Sequence, residues 1–214
     1  MRKLIAAINM TLDGFCDHTA LMADDEIHQH YNELLGNADT LLFGRITYQL
    51  MESYWPTVVE HPTGNKPMDE FAVIIQDISK IVFSHTLKNV DRMAIGWKNA
   101  KLAKGGIKEE VLELKQQAGK DIIVGSRSLI VASMNLNLVD EFQISVQPII
   151  LGKGLPLLKN INYRINLKLL KTKIFSSGSI TLYYEPAKKL PLTGDDTARD
   201  DEQHPDSYRG ITRY

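Results

Sequence analysis

The sequence predicts an α/β domain. Its expected core is a mostly parallel central sheet flanked by helices, with an antiparallel hairpin at the C-terminal edge. Three observations carry that expectation. Short apolar runs at Lys3–Asn9, Thr40–Phe43, Lys80–Phe83 and Asp121–Val124 alternate with amphipathic helical segments, the pattern of parallel strands joined by crossover helices. These runs are apolar almost throughout instead of alternating, as strands covered on both faces are. Late in the chain, Tyr163–Phe175 and Ile180–Tyr184 do alternate, and only Ser176-Ser177-Gly178-Ser179 separates them, which suits a hairpin.

Composition sets the outer limits. The 214 residues, 43% hydrophobic and 24% charged, are enough to bury a full core as one domain with appendages. A formal net charge of -1 provides no basic face for nucleic acid. The single cysteine, Cys16, excludes an internal disulfide framework and fits a reducing compartment. No apolar run reaches the span of a bilayer, and Met1-Arg2-Lys3 leads straight into a strand. The expectation is therefore a soluble cytoplasmic protein with no membrane partner.

In chain order, the first strand (Lys3–Asn9) ends at Thr11-Leu12-Asp13-Gly14, and Asp-Gly is a strong turn signal. Asp13 admits two readings. One is a turn former bonding nearby backbone; the other is a carboxylate at the carboxyl end of a strand, where ligands of open α/β sheets bind. Cys16 has no neighbouring base and reads as a passive thiol. Ala23–Gly36 is a helix with Asp24, Asp25 and Glu26 at its start and Gly36 at its stop. His28 and His30 lie two apart, point to different helix faces, make a poor metal pair and read as solvated. After the Thr40–Phe43 strand, Gly44-Arg45-Ile46-Thr47-Tyr48 opens a helix that runs to about Tyr54-Trp55-Pro56. Arg45 in a first turn opposes the helix dipole. A phosphate held by guanidinium, Thr47 hydroxyl and free N–H groups would offset that.

His61–Lys66 reads as a loop, Pro67–Asp77 as a helix with Pro in its first turn, and Lys80–Phe83 as a strand ending at Ser84-His85-Thr86. A weak strand is expected at Met93–Trp97 and an amphipathic helix at Ile107–Ala118. After Asp121–Val124, Gly125-Ser126-Arg127-Ser128 opens a helix through Leu129, Ile130, Ala132, Ser133 and Leu136. This second strand–Gly–helix junction is either a phosphate cradle or an ordinary corner with a Ser cap. A strand from Val139 to Pro148 follows, then a turn with Gly152 and Gly154. Beyond Pro186 the composition turns polar, and 187–214 reads as an extended tail. Its Leu190-Pro191-Leu192-Thr193-Gly194 has the form of a cell-wall sorting pentapeptide but lacks the apolar span and basic end that sorting requires. The chain contains no complete G-x-G-x-x-G, no G-K-[ST] loop, no metal cluster and no Ser/His/Asp set. The residues alone therefore support an α/β nucleotide-binding domain.

Lys3–Asn9 followed by Thr11-Leu12-Asp13-Gly14, and Leu41-Leu42-Phe43-Gly44-Arg45-Ile46-Thr47-Tyr48 after it, resemble the dihydrofolate reductase-like family. Leu138-Val139-Asp140-Glu141 running into Pro148-Ile149-Ile150-Leu151-Gly152-Lys153-Gly154 narrows the likeness. It is similar to the C-terminal reductase domain of the bifunctional riboflavin-biosynthesis deaminase/reductase and to its stand-alone relatives. The resemblance covers residues 1–186. It implies an NADPH-dependent reductase of a small heterocyclic substrate, such as 5-amino-6-(5-phosphoribosylamino)uracil, working as a homodimer. It also implies phosphate contacts by Gly44, Arg45 and Thr47, with Ser84 and His85 by the adenosine end. The Gly125-Ser126-Arg127-Ser128 turn would lie at the pyrophosphate, and Asp13 would face the substrate as the catalytic group.

Two departures from the family pattern stand out. Ser126 replaces the second Gly of a usual Gly-Gly pair, with Arg127 as a compensating cation. The carboxylate that folate reductases carry in their first helix falls here near Ile27 or His28, with the acids earlier, which argues against folate. A dihydrofolate or pterin reductase, a non-catalytic nucleotide-binding module and a structural dimer are the remaining alternatives.

Overall fold

A computed structural model describes residues 1–17, 24–84 and 96–187. Eight strands form one sheet: β1 (Leu4–Thr11), β2 (Ala38–Gly44), β3 (Ser79–Phe83), β4 (Ala100–Leu102), β5 (Asp121–Val124), β6 (Glu141–Gln147), β7 (Leu167–Ile174) and β8 (Ile180–Pro186). Their spatial order is β4-β3-β2-β5-β1-β6-β8-β7. The first six run parallel, and β8 and β7 close one edge antiparallel. The helices are α1 (Asp25–Gly36), α2 (Arg45–Glu52), α3 (Trp55–Glu60), α4 (Lys66–Asp77), α5 (Ile107–Gln116) and α6 (Arg127–Asn135).

The sheet separates two apolar cores, as continuous apolar strands require. On one face Leu4, Ala6, Leu42, Ile122 and Val124 pack against Val111 and Leu114 of α5 and Leu129, Ile130 and Met134 of α6. On the other, Ile5, Ala7, Leu41, Phe43 and Ile123 meet Leu34 and Leu35 of α1, Tyr48 of α2 and Phe71 and Ile75 of α4. Caps fix the helix entries where sequence chemistry provides them. Asp24 accepts from the Ile27 N–H at 2.7 Å, and Asn65 from the Met68 N–H at 3.0 Å.

Several elements differ from the sequence reading. The strand expected at Met93–Trp97 is Ala100–Leu102. Residues 93–95 lie outside the described residues, while Trp97 is buried and Asn99 makes a left-handed turn (φ 59°) that the strand follows. The helix expected to end at Trp55-Pro56 stops at Glu52, and a separate helix, α3, starts there, with Pro56 in its first turn. β6 starts at Glu141, not Val139. Leu138 and Val139 plug the core, and Asp140 pairs with the Leu4 backbone instead. β7 starts at Leu167, because Tyr163 turns back to bond the Met134 carbonyl. His30 is buried, not solvated, among Tyr31, Phe175 and Tyr183. Most of the 187–214 tail falls beyond the last described residue, Ala187.

Candidate cofactor and substrate site

The carboxyl ends of β2, β3 and β4 open into a cleft of about 950 Å³. Gly44, Arg45 and Thr47 enter it from β2 and the start of α2, Ser84 from the end of β3, and Lys104, Gly105 and Gly106 from the β4–α5 junction. Ser128 of α6 completes the wall. Two helices present their N-termini here without help from their own side chains. Neither Gly44 before α2 nor Ser126 before α6 caps its helix, and neither first turn carries an acid. Their leading N–H groups and positive dipole ends therefore face the cleft side by side, an arrangement made for phosphate. The closeness is measurable: a Cβ added to Gly44 would lie 3.3 Å from the Ser128 hydroxyl.

Ser126 plays a different part from the one expected. It is 1% exposed, and its hydroxyl accepts the Gly44 N–H at 2.9 Å, tying the end of β2 to the end of β5. The residue that departs from a Gly-Gly pair is thus a stitch between the two junctions through its hydroxyl oxygen. Gly125 lies against the Ala7 carbonyl of β1, 3.6 Å from where a Cβ would sit. Arg127 sends its Nε to the Pro156 carbonyl and is not among the residues lining the cleft. Arg45 is exposed, with its guanidinium on Gln49 at 3.0 Å. His85 lies outside the described residues.

The residues that sequence reasoning missed are Lys104, Gly105 and Gly106. They form a further strand–Gly–helix junction by the same rule that singled out Gly44. The sequence pattern puts the strand at Met93–Trp97, seven residues before Ala100, so the junction does not show in it. The loop before this helix is tied by its own chain: the Glu110 carboxylate accepts the Lys104 N–H at 2.5 Å and the Gly105 N–H at 3.2 Å. Lys104 lines the cleft beside a helix that has no side-chain cap and carries Glu109 and Glu110 in its first turn.

At the other end of the sheet's switch region, both readings of Asp13 meet in one geometry. Its carboxylate accepts from Thr11 Oγ1 at 2.6 Å, from the Leu151 N–H at 3.1 Å and from the Gly152 N–H at 2.7 Å. These bonds, the Thr11 hydroxyl first, hold it below the usual carboxylate range. Gly152 needs its left-handed backbone (φ 74°) to present that N–H. Asp13 thus fastens the β1 turn to the turn after β6, both at strand carboxyl ends. The Cys16 thiol donates to the Leu155 carbonyl at 3.3 Å, and burial pushes its pKa up, so it stays a thiol. On α1, Ile27 is buried and His28 stands edge-on to Trp55 and Phe71. The helix acids are used elsewhere: Asp25 by Asn65, Glu26 by Ser176 and Glu33 by Lys173. Among the described residues, none of these three acids is directed at β1; the polar pair there is neutral, with the Tyr31 hydroxyl donating to Asn9 Oδ1 at 3.1 Å.

No group of three or more His, Cys, Asp or Glu suited to a metal occurs among the described residues, and no helix there is long and apolar enough to cross a membrane.

Comparison with known proteins agrees with this architecture. The protein is 36% identical over 190 residues to the uncharacterized protein YyaP of Bacillus subtilis, covering 86% of this chain and 94% of that one. A Shewanella sp. PV-4 protein assigned to riboflavin biosynthesis superposes with a TM-score of 0.67 at 19% identity, over 87% of this chain and 99% of that one. The solved structure of dihydrofolate reductase from Enterococcus faecalis complexed with NADP(H) gives 0.56 at 12% identity, over 87% and 97%. At those identities the two structures speak to fold alone, which is dihydrofolate reductase-like. Residues 2–181 match the model of the RibD C-terminal domain, a reductase domain, and the chain belongs to that family.

Proposed function

We propose that the protein is an NADPH-dependent reductase of a small, uncharged heterocyclic substrate related to the uracils of riboflavin biosynthesis. The observation that carries this reading is the pair of uncapped helix N-termini, α2 and α6, facing one cleft with Arg45 in the first turn of α2. An arginine there is unfavourable for the helix alone and favourable once an anion is present. NADPH bound there would supply a hydride for a C=N or C=O carbon. The chain's own contribution is placement. Arg45, Thr47 and Ser128 hold phosphate oxygens, Lys104 adds a cation at the rim beside Ser84, and Gly44 lets the backbone come close. Asp13 keeps the β1 turn and the 149–154 turn together beside the substrate. Ile27 and His28, near where the resemblance puts the folate-type carboxylate, carry none, which favours a neutral ring over a protonated pterin. A reducing, cytoplasmic setting suits this chemistry.

Calorimetric titration of the full chain with NADPH and NADH tests the reading. NADPH is expected to bind more tightly. Arg45→Ala and Lys104→Ala should each weaken NADPH by about tenfold or more, the worth of one charge-assisted contact. Failure to bind either dinucleotide refutes the proposal. Binding without turnover on a panel of pyrimidines and pterins would reduce it to a nucleotide-binding module.

A further inference from the structure

On the face of the sheet that α1 covers, β1 changes character toward its carboxyl end. Ile5 and Ala7 belong to the apolar core there; Asn9, next on the same face, is polar and half-buried. The register carries that change sideways. Asn9 stands opposite Ser145 of β6, and Ser145 opposite Thr181 of β8, so three polar side chains form one rung across three strands. Ser145 and Thr181 are both 0% exposed, with their hydroxyls 2.7 Å apart. Stability alone would fill such positions with apolar side chains, because every buried polar group must find a partner.

The hydrogen bonds of the rung have a direction. Burial raises the pKa of the Tyr31 phenol, which therefore stays protonated, and Ser145 opposes that rise by donating toward it. Tyr31 then has its own proton for the Asn9 Oδ1, 3.1 Å away. Donation runs from Thr181 to Ser145 to Tyr31 and ends on the Asn9 carbonyl oxygen, which leaves Nδ2, a donor, on the side of the amide away from Tyr31. The charged groups around the rung are engaged elsewhere: Lys173, opposite Thr181, pairs with Glu33, and Asp13 accepts from Thr11. A ligand at this rung meets a fixed, neutral donor.

The rung also lies where the proposed cofactor would end. After β2 the sheet continues with β5 and β1, and Gly125 at the end of β5 lies against the Ala7 carbonyl. Two strand spacings, about 10 Å, lead from Gly44 to β1, a distance that a dinucleotide spans. We propose that Asn9 is a specificity-determining residue for the substrate and that Tyr31 positions it. The locked amide donates through Nδ2 to a ring carbonyl, selecting a neutral lactam or imide over a ring that offers only amino groups at that edge. The place of the substrate rests on the reductase reading; the choice of edge rests on the rung.

Ligand-observed saturation-transfer NMR of the full chain, with and without NADPH, tests this with two probes, uracil and 2,4-diaminopyrimidine. The wild type is expected to bind uracil about tenfold more tightly, the worth of one hydrogen bond gained against a donor facing a donor. Asn9→Asp puts an acceptor in place of Nδ2 and should invert the preference. Tyr31→Phe frees the amide to turn and should bring the ratio of the two affinities close to one. Circular dichroism must show both variants folded; if Asn9→Asp is not, Asn9→Leu replaces it and should abolish the preference. A wild type that binds neither probe, or both alike, overturns the proposal. So does a folded Asn9→Asp that weakens both probes by the same factor, the mark of a merely structural role. NADPH titration of the same proteins keeps the two readings apart. Loss of the uracil preference with NADPH bound refutes the role of Asn9 alone, whereas a uracil preference without NADPH binding refutes the cofactor reading alone.

Discussion

Lys80 offers the sharpest test of how the cleft is held up. It is fully buried in β3, two residues before Val82 and Phe83 reach the cleft. Its ammonium donates to the carbonyls of Gln76 (3.0 Å), Ile78 (2.9 Å) and Lys98 (2.9 Å) and lies 4.5 Å from the centre of the Trp97 ring. Two of those carbonyls are the orphans at the end of α4; the third belongs to the turn before β4. Burial pulls the ammonium from 10.5 down to about 8, with Asp77 opposing and Lys98 assisting. Because the folded value lies below the unfolded one, the native state gives up this proton first. Between about pH 8 and 10.5 the unfolded chain therefore holds more protons, and this group makes stability rise with pH. At about 1.4 kcal/mol per pH unit the full rise is about 3 kcal/mol, of which about 2 is reached by pH 9.5.

Lys80→Met keeps the bulk and removes both effects. At pH 7 it strands three carbonyls, at about 1–3 kcal/mol each, and recovers about 3 kcal/mol by removing a buried charge. Taking about 2 kcal/mol per carbonyl, the variant should thus be about 3 kcal/mol less stable, and the gap should widen by about 2 kcal/mol toward pH 9.5. Urea unfolding followed by circular dichroism at both pH values measures it. Parallel stability curves for the two proteins over that range would refute the titration argument. Equal stability at pH 7 would refute the importance of the carbonyl bonds.

Three further outcomes are expected. His30 is held down to about 4, by burial first and then by Lys173 and Lys171 against the opposing Glu33, so it contributes stability that is complete above about pH 6.5 and lost as pH falls toward 4. His30→Phe, in contact with Tyr31, Phe175 and Tyr183, should flatten the acid limb of the pH–stability curve; an unchanged limb means that the histidine is not the group titrating. Ser126→Ala strands the Gly44 N–H and should cost about 1–2 kcal/mol in unfolding free energy while changing NADPH affinity severalfold at most. A tenfold affinity loss at unchanged stability would return its hydroxyl to the phosphate. Asp13→Asn should raise KM for substrate through a loosened 149–154 turn while NADPH affinity holds, and full turnover with unaltered KM would remove Asp13 from the site.

These perturbations also mark what was legible in the chain. Gly44-Arg45 and Gly125-Ser126 could be found from sequence because the signal is local: an apolar strand, a glycine, then helical periodicity. Lys104-Gly105-Gly106 obeys the same rule and was still missed. Its strand is three residues long, begins after a left-handed Asn99 and exists because β3 pairs with it, which no local pattern reports. His30 read as solvated because the hairpin that covers it comes some 150 residues later. The Ser126 hydroxyl is used by Gly44, 82 positions earlier, and the Asp13 carboxylate by Gly152, 139 positions later. Local chemistry therefore announces where polar groups gather at the strand ends, while partners distant in sequence decide which of them remain available to a ligand. By that criterion Thr47, Lys104 and Arg45, whose guanidinium is held only by its helix neighbour Gln49, are the groups left for the proposed dinucleotide. Ser126 and Asp13, equally visible in the sequence, are bonded to the chain's own backbone and fix the turns around the proposed site.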